Sequence, residues 1–395
     1  MEKLGGVLII GAGPVGFITA LGLARAGIRV AIIEAGPKIN DSPRAAIYFP
    51  VTIEFLDRLG IAGDAHAAGV KNDRLQMSYR DGSGTFILSP AVLKDDTRFP
   101  YQLHFGQNVL AELVQRRLRE LPGTDVRFNT TLTSIAQDST GVTVGVTTPR
   151  GPEEMRCDWL IGCDGGRSGV RHALNLSFEG HTWPERFVAT NVRYDRFDRY
   201  GLGLANFFVD PVRWAVVAVI SRDGLWRVTY NEDGDCTDEE ALRRIPRRYA
   251  ELFPDMGPYE LVAASPYHVH ERISERLRVG RVLLAGDAAH VCNPCGGMGL
   301  TTGLMDAQAL IDALAAVIHG RADETLLDFY AEDRRRVFLE VTTPAATEYK
   351  RLIGEKDPER RRQDRENFRQ ATGNPGIMRQ NMLRLFNTRG KAMLQ

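Results

Sequence analysis

The chain has 395 residues, 43% of them hydrophobic and 25% charged, with 50 basic side chains against 50 acidic ones. That length exceeds what one core usually serves, so two domains sharing an interface are expected, and the balanced charge argues against a polyanion such as nucleic acid as partner. Five scattered cysteines do not make a disulfide framework, the first apolar strand begins too early for a signal peptide, and no run of about 18 apolar residues stands out; a cytoplasmic protein with no membrane span is therefore predicted.

In chain order, the opening VLIIGAGPVGFITALGLARAGIRVAIIEAGP reads as a buried strand, a glycine turn, a helix and a second strand over 29–34. This is a βαβ unit, which implies parallel strands. Residues 51–61 pattern as a helix, and 74–88 as strands broken at Asp81-Gly82. Val109, Leu110, Leu113, Val114, Leu118 and Leu121 recur at helical spacing until Pro122-Gly123 stops them. Strand patterns occupy 126–162 and 186–230, where 215–220 and 225–230 flank the turn SRDG. Trp214 and Trp226 alternate with apolar neighbours along that hairpin and are predicted as core. Helices are predicted over 300–318 and 324–339, and the charged run EKDPERRRQDRE (355–366) as a solvated helix or linker.

Three motifs carry chemistry. In Gly11-Ala12-Gly13-Pro14-Val15-Gly16 the first glycine permits the turn, the second lets backbone approach a pyrophosphate, and the third lets helix pack on strand. Glu34, at the end of the next strand, is placed to accept hydrogen bonds from a ribose diol, so a dinucleotide is expected, FAD or NAD. The second motif, Cys163-Asp164-Gly165-Gly166-Arg167-Ser168, follows an apolar strand and reads equally well as a capped turn or a ligand contact. The third is VLLAGDAAHVCNPCGGMGL, residues 282–300: a strand tipped by Gly286-Asp287, then glycines opening a helix whose free N–H groups can hold partial negative charge. Cys292 and Cys295 straddle Pro294 ahead of those glycines, and the other cysteines form no second pair, so no metal site is predicted; the thiols read as small wall residues.

In this order and spacing the three motifs resemble the class A flavoprotein monooxygenases, the family of para-hydroxybenzoate hydroxylase, over nearly the whole chain. The resemblance implies an α/β fold: a Rossmann-like FAD-binding domain (1–75, 100–180 and 273–350), an inserted β-sheet substrate domain (76–99 and 181–272) and a C-terminal helical segment (351–395). It implies FAD held by Gly11, Gly13, Pro14, Val15, Gly16, Glu34 and Ala35, with Arg44 and Gln107 beside it. Asp164, Gly165, Asp287 and the loop Pro294, Gly296, Gly297, Met298, Gly299, Leu300 and Thr301 complete the set. The family often has Gln and Asn where this chain has Met298 and Thr301, which removes side-chain contacts there and leaves backbone ones.

NADH or NADPH would visit to reduce the flavin, and O2 would yield a flavin C4a-hydroperoxide that hydroxylates a phenol or hydroxypyridine, as in the breakdown of aromatic compounds. Segments around 100–108, 182–192 and 225–228 resemble para-nitrophenol 4-monooxygenases and hydroxypyridine hydroxylases, which oxygenate a ring carbon bearing a leaving group such as nitro, acyl or carboxyl. The implied substrate wall is Tyr48, Phe207, Val216, Ala218, Ile220, Cys295 and Gly296, and the candidates for the chemistry itself are Tyr48, His104 and Pro294; His290 is a further histidine of the third motif. The family's carboxylate clamp falls on Ala218 and Ile220, so para-hydroxybenzoate is not expected as substrate. A homodimer is compatible with the sequence. Two alternatives share the cofactor motifs: a flavin-dependent reductase or epoxidase of an aliphatic or isoprenoid substrate, and a flavin-binding protein without turnover.

Overall fold

The computed structural model describes residues 1–394. Strand β1 (Val7–Ile10) is buried at every position and ends at Gly11, after which helix α1 (Pro14–Arg25) starts on a proline that presets its first turn. Strand β2 (Val30–Ile33), helix α2 (Gln107–Arg119), strand β3 (Trp159–Gly162) and the short helix α3 (Gly169–Ala173) complete the first half. The chain then builds β4 (Phe178–Arg193), β5 (Ala205–Val209), β6 (Ala215–Val219), β7 (Leu225–Glu232) and β8 (Glu260–Ser274). It returns as β9 (Val282–Leu284), α4 (Met298–Ile318), α5 (Thr325–Val337) and α6 (Thr343–Gly354).

A six-stranded sheet runs in the order 278–279, β9, β3, β1, β2, 124–127, with every pairing parallel except the edge pair 278–279 with β9. Covered on both faces, its central strands are buried runs rich in Val, Leu and Ile, interrupted only by Ala31, Trp159 and Gly162, as parallel strands covered on both sides usually are. Their C-terminal ends bring Gly11, Glu34 and Asp164 to one edge, where such sheets bind ligands. Helix α4 is long and apolar enough to cross a membrane, which the sequence reading overlooked, but 78% of its most apolar window is buried and it packs on α1 and α5 as the core helix.

The second sheet has eight strands in the order 290–291, β8, β4, β7, β6, β5, 75–79, 84–88. Gln76–Tyr79 pair in parallel with Asn206–Val209, joining segments far apart in sequence. One face of this sheet packs through Val188, Phe208, Val217 and Val228 against Ile245 and Tyr249 of the helices within 238–252 and Phe253 just after them. The opposite face turns toward the first sheet. The charged run 355–366 lies largely in a helix, Pro358–Gly373, N-capped by Asp357 and tied by Arg361 to Asp81 at 2.9 Å.

Candidate active site

Between the C-terminal edge of the parallel sheet and the inner face of the eight-stranded sheet lies a cavity of about 1900 Å³. A single drug-sized ligand fills roughly 300–1,000 Å³, so this space takes a dinucleotide and a second molecule.

At the nucleotide end Gly11 has φ +108, and a Cβ there would stand 2.4 Å from the Cys163 carbonyl oxygen. Gly13, the residue preceding α1, faces open space, leaving its backbone free for approach by a phosphate. Gly16 lies off the cavity, closed against the Gly11 carbonyl, and so serves packing. Glu34 lines the cavity, and its two carboxylate oxygens receive the Ala12 and Gly36 N–H groups at 2.9 and 2.8 Å. Each oxygen keeps a second lone pair for a ribose hydroxyl. Pro14, Val15, Ala35, Arg44, Gln107 and Gly165 also line this end.

Asp287 is the most telling residue. Its carboxylate lines the cavity, is solvent-accessible there and takes no hydrogen bond from protein among the described residues; the surrounding protein raises its pKa by desolvation, with Arg44 opposing. Once a ligand displaces water from the cavity this carboxylate is costly unless the ligand donates to it, and a chain of ribityl hydroxyls does so. The residues present therefore fit FAD. Asp164 lines the cavity, and it accepts from Ser168 Oγ at 2.6 Å and Val170 N–H at 3.1 Å, bracing the start of α3.

The loop after Asp287 carries Pro294, Cys295, Gly296, Gly297, Gly299 and Leu300 on the cavity wall. Gly297, at φ +67, precedes α4 with no side-chain cap, so the first N–H groups of the helix remain available to an electron-rich ligand edge. Met298 and Thr301 are buried off the cavity, and Thr301 Oγ1 donates back to the Gly297 carbonyl at 3.1 Å. Behind the loop Asp306 accepts from Gly286 N–H at 3.0 Å and from Arg334 Nε at 2.7 Å, and faces His290 Nε2 at 2.9 Å. Burial pushes this carboxyl upward, but His290 and Arg334 outweigh it and hold it below the ordinary range, at about 2. His290 is thus committed to bracing the loop. All five cysteines are free, and burial pushes the Cys295 thiol up to about 12, which keeps it a neutral wall residue.

The substrate end is written by strand register. Phe207 pairs with Val216, Val216 with Thr229, and Thr229 with Ala189; Ala218 pairs with Arg227, and Phe187 with Tyr267. These side chains share the face that lines the cavity, together with Ile220 and Trp214. Phe207, Val216, Ala218 and Ile220 all line the cavity. Trp226 packs on Phe197 as core, whereas Trp214, expected only as core, also forms wall.

Two expectations fail. His104 is fully buried off the cavity, its Nδ1 3.2 Å from the Val219 carbonyl and its Nε2 3.1 Å from Gln102 Oε1; burial pulls its pKa down to about 4. It is a neutral structural tie and cannot reach a ring oxygen. Tyr48 is likewise off the cavity, stacked 4.2 Å from Phe105, while its neighbours Ile47 and Phe49 line the wall.

Sequence reasoning missed Arg227. Its Nε donates to Asn191 Oδ1 at 2.7 Å and an Nη donates to the Arg44 carbonyl, but no carboxylate pairs with it among the described residues, and burial lowers its pKa to about 10. It remains a cation at neutral pH. The absence of a cation at Ala218 and Ile220 therefore does not leave the pocket uncharged, and the charge argument against a carboxylated phenol falls.

Cradle, carboxylate and sheet wall together define a flavoprotein with the fold of para-hydroxybenzoate hydroxylase. The chain belongs to the FAD binding domain family, whose sequence model matches residues 6–345. It is 43% identical over 400 residues to para-nitrophenol 4-monooxygenase of Pseudomonas sp. (strain WBC-3), covering 100% of this chain and 98% of that protein. It is also 43% identical over 356 residues to 6-hydroxy-3-succinoylpyridine 3-monooxygenase of Pseudomonas putida (strain DSM 28022 / S16), covering 89% and 90%. The crystal structure of p-nitrophenol 4-monooxygenase from Pseudomonas putida DLL-E4 superposes with a TM-score of 0.95 at 42% identity, covering 99% of this chain and 100% of that one. This chain is accordingly an FAD-dependent aromatic monooxygenase that uses NAD(P)H and O2.

Proposed function

We propose that the enzyme hydroxylates a monocyclic phenol or hydroxypyridine at a ring carbon bearing a leaving group, nitro or acyl. The observation that carries this is the pairing of one cavity's two ends: a nucleotide cradle with Asp287, which takes no protein hydrogen bond among the described residues, and a largely apolar sheet wall holding the cation Arg227, with which no carboxylate pairs among those residues. The names of the relatives at 43% identity support the ring chemistry.

FAD, when bound, supplies the hydride acceptance from NAD(P)H and the transfer of an oxygen atom from O2 to the ring. The rest falls to the chain. In this reading Gly11, Gly13 and the N-terminus of α1 hold the pyrophosphate, Glu34 the ribose, Asp287 the ribityl hydroxyls, and the N-terminus of α4 a carbonyl edge of the ring system. Phe187, Phe207, Val216 and Ala218 bury the aromatic substrate and exclude water, and Arg227 compensates an ionised ring oxygen. In the same reading the parallel sheet and α4 form the cofactor-binding part of the chain, and the eight-stranded sheet the substrate-binding part.

The test is NAD(P)H consumption by the holoenzyme against 4-nitrophenol, 6-hydroxy-3-succinoylpyridine, para-hydroxybenzoate and an aliphatic alkene, with product identification. Consumption coupled to nitrite release from 4-nitrophenol, or to loss of the acyl group from the pyridine, is expected. Turnover of the alkene alone would sink the proposal.

A further inference from the structure

The family match ends at residue 345, yet helix α6 continues past it to the cavity wall. Tyr349 reaches that wall from α6. Its ring lies against the flavin-side loop so closely that a Cβ on Gly296 would meet Tyr349 Cδ2 at 2.5 Å, and it stacks on Phe207 with centroids 6.3 Å apart. The helix is pinned there. Lys350 Nζ pairs with Glu185 at 2.8 Å and sits 4.1 Å over the Trp183 ring, and the Asp210 N–H donates to the Ile353 carbonyl at 3.0 Å.

The buried Tyr330 spends its hydroxyl on the Leu284 carbonyl at 2.8 Å. The Tyr349 hydroxyl bonds to no protein group among the described residues, and burial alone acts on it, raising its pKa. It therefore stays protonated, a donor without a partner, next to a Phe207 ring that offers no polar atom. A polar group held this way on a cavity wall is satisfied by what enters the cavity.

We propose that the Tyr349 hydroxyl donates a hydrogen bond to the ionised ring oxygen of the aromatic substrate and so selects for phenols that bind as the anion. The phenol's own proton leaves to bulk water, and Tyr349 keeps its proton throughout. This rests on the hydroxylase reading above. Because the hydroxyl contacts only the ligand, Tyr349→Phe keeps the packing on Gly296 and Phe207 and leaves the fold and the FAD content intact.

The experiment measures binding of 4-nitrophenol and of nitrobenzene to oxidised holoenzyme, and the pH at which bound 4-nitrophenol ionises, for wild type, Tyr349→Phe and Tyr267→Phe. In wild type the bound phenol is expected to ionise at lower pH than the free one. Tyr349→Phe should weaken 4-nitrophenol binding by at least about tenfold, as loss of a hydrogen bond to an anion does, and move that ionisation back toward the free value while nitrobenzene binding stays unchanged. A loss below about threefold, an equal loss for nitrobenzene, or an effect found only in Tyr267→Phe overturns the assignment to Tyr349. Those results leave the hydroxylase reading standing if wild type still turns over 4-nitrophenol. Wild type that turns over no phenol or hydroxypyridine removes both.

Discussion

Gly11 and Gly13 stand two residues apart under opposite constraints, and their substitutions should separate folding from cofactor binding. Alanine at Gly11 has neither the backbone region nor the space for its methyl group, and is expected to cost the protein roughly 2–4 kcal/mol. Valine at Gly13 projects into open cavity, so thermal unfolding without FAD should match wild type while flavin absorbance of the purified protein is lost. His104 makes a different prediction. Its pKa is lowered from 6.5 to about 4, so the unfolded chain takes up a proton in a window where the folded one does not. Stability from this group is complete above about pH 6.5 and is lost as pH falls toward 4, by about 3 kcal/mol in all. His104→Gln should flatten that acid limb in melting experiments and leave the pH profile of turnover unchanged above it. The sequence could not separate His104 or Tyr48 from pocket residues, because each sits beside true wall positions, Gln102 and Ile47, and burial on either side of a thin wall reads alike.

Among elements, the strand-turn-helix units were the most legible, since all the constraints on the Gly11–Glu34 unit lie within 24 consecutive residues. The sheet wall was half legible. The family resemblance put Val216 and Ala218 on the substrate wall, but that Arg227 stands beside Ala218 follows from cross-strand register, which the pattern within one strand does not encode. Helix α5 shows a further dependence. Arg334 is wholly buried and divides its donors between Asp306 and the carbonyls of Thr388 and Arg389, at 2.7, 2.9 and 3.0 Å, so the C-terminal turn and the Gly286–Asp287 turn share one guanidinium. Arg334→Met leaves the buried Asp306 charge without its guanidinium partner and is expected to cost about 3–5 kcal/mol by chemical denaturation. Because Asp306 also holds the Gly286 N–H, FAD affinity should fall in the same variant.

At the scale of the whole molecule, the two sheets meet across a cavity with apolar and polar wall on both sides. A ligand filling it binds the native state alone, so FAD at one hundred times its dissociation constant should add about 2.7 kcal/mol of stability, read as a rise in melting temperature of the apoprotein. No such rise would mean that the cradle is not the flavin site. The fold class was readable from three motifs because each marks a strand end of the same parallel sheet. The path by which the chain leaves that sheet, builds a second one and comes back to finish the cavity with Tyr349 was not, since it is decided by packing between segments more than a hundred residues apart.

That path orders events during synthesis. The chamber's walls begin with Ile10 and are finished only by Tyr349, so a ribosome has passed residue 349 before any enclosed site exists. A nascent polypeptide halted short of α6 displays the glycine turn but leaves the aromatic wall open to water on the side that Tyr349 would close. Loading of flavin into a closed chamber therefore waits for α6, and a chain truncated just before residue 349 is expected to keep the glycine turn with no closed chamber around it.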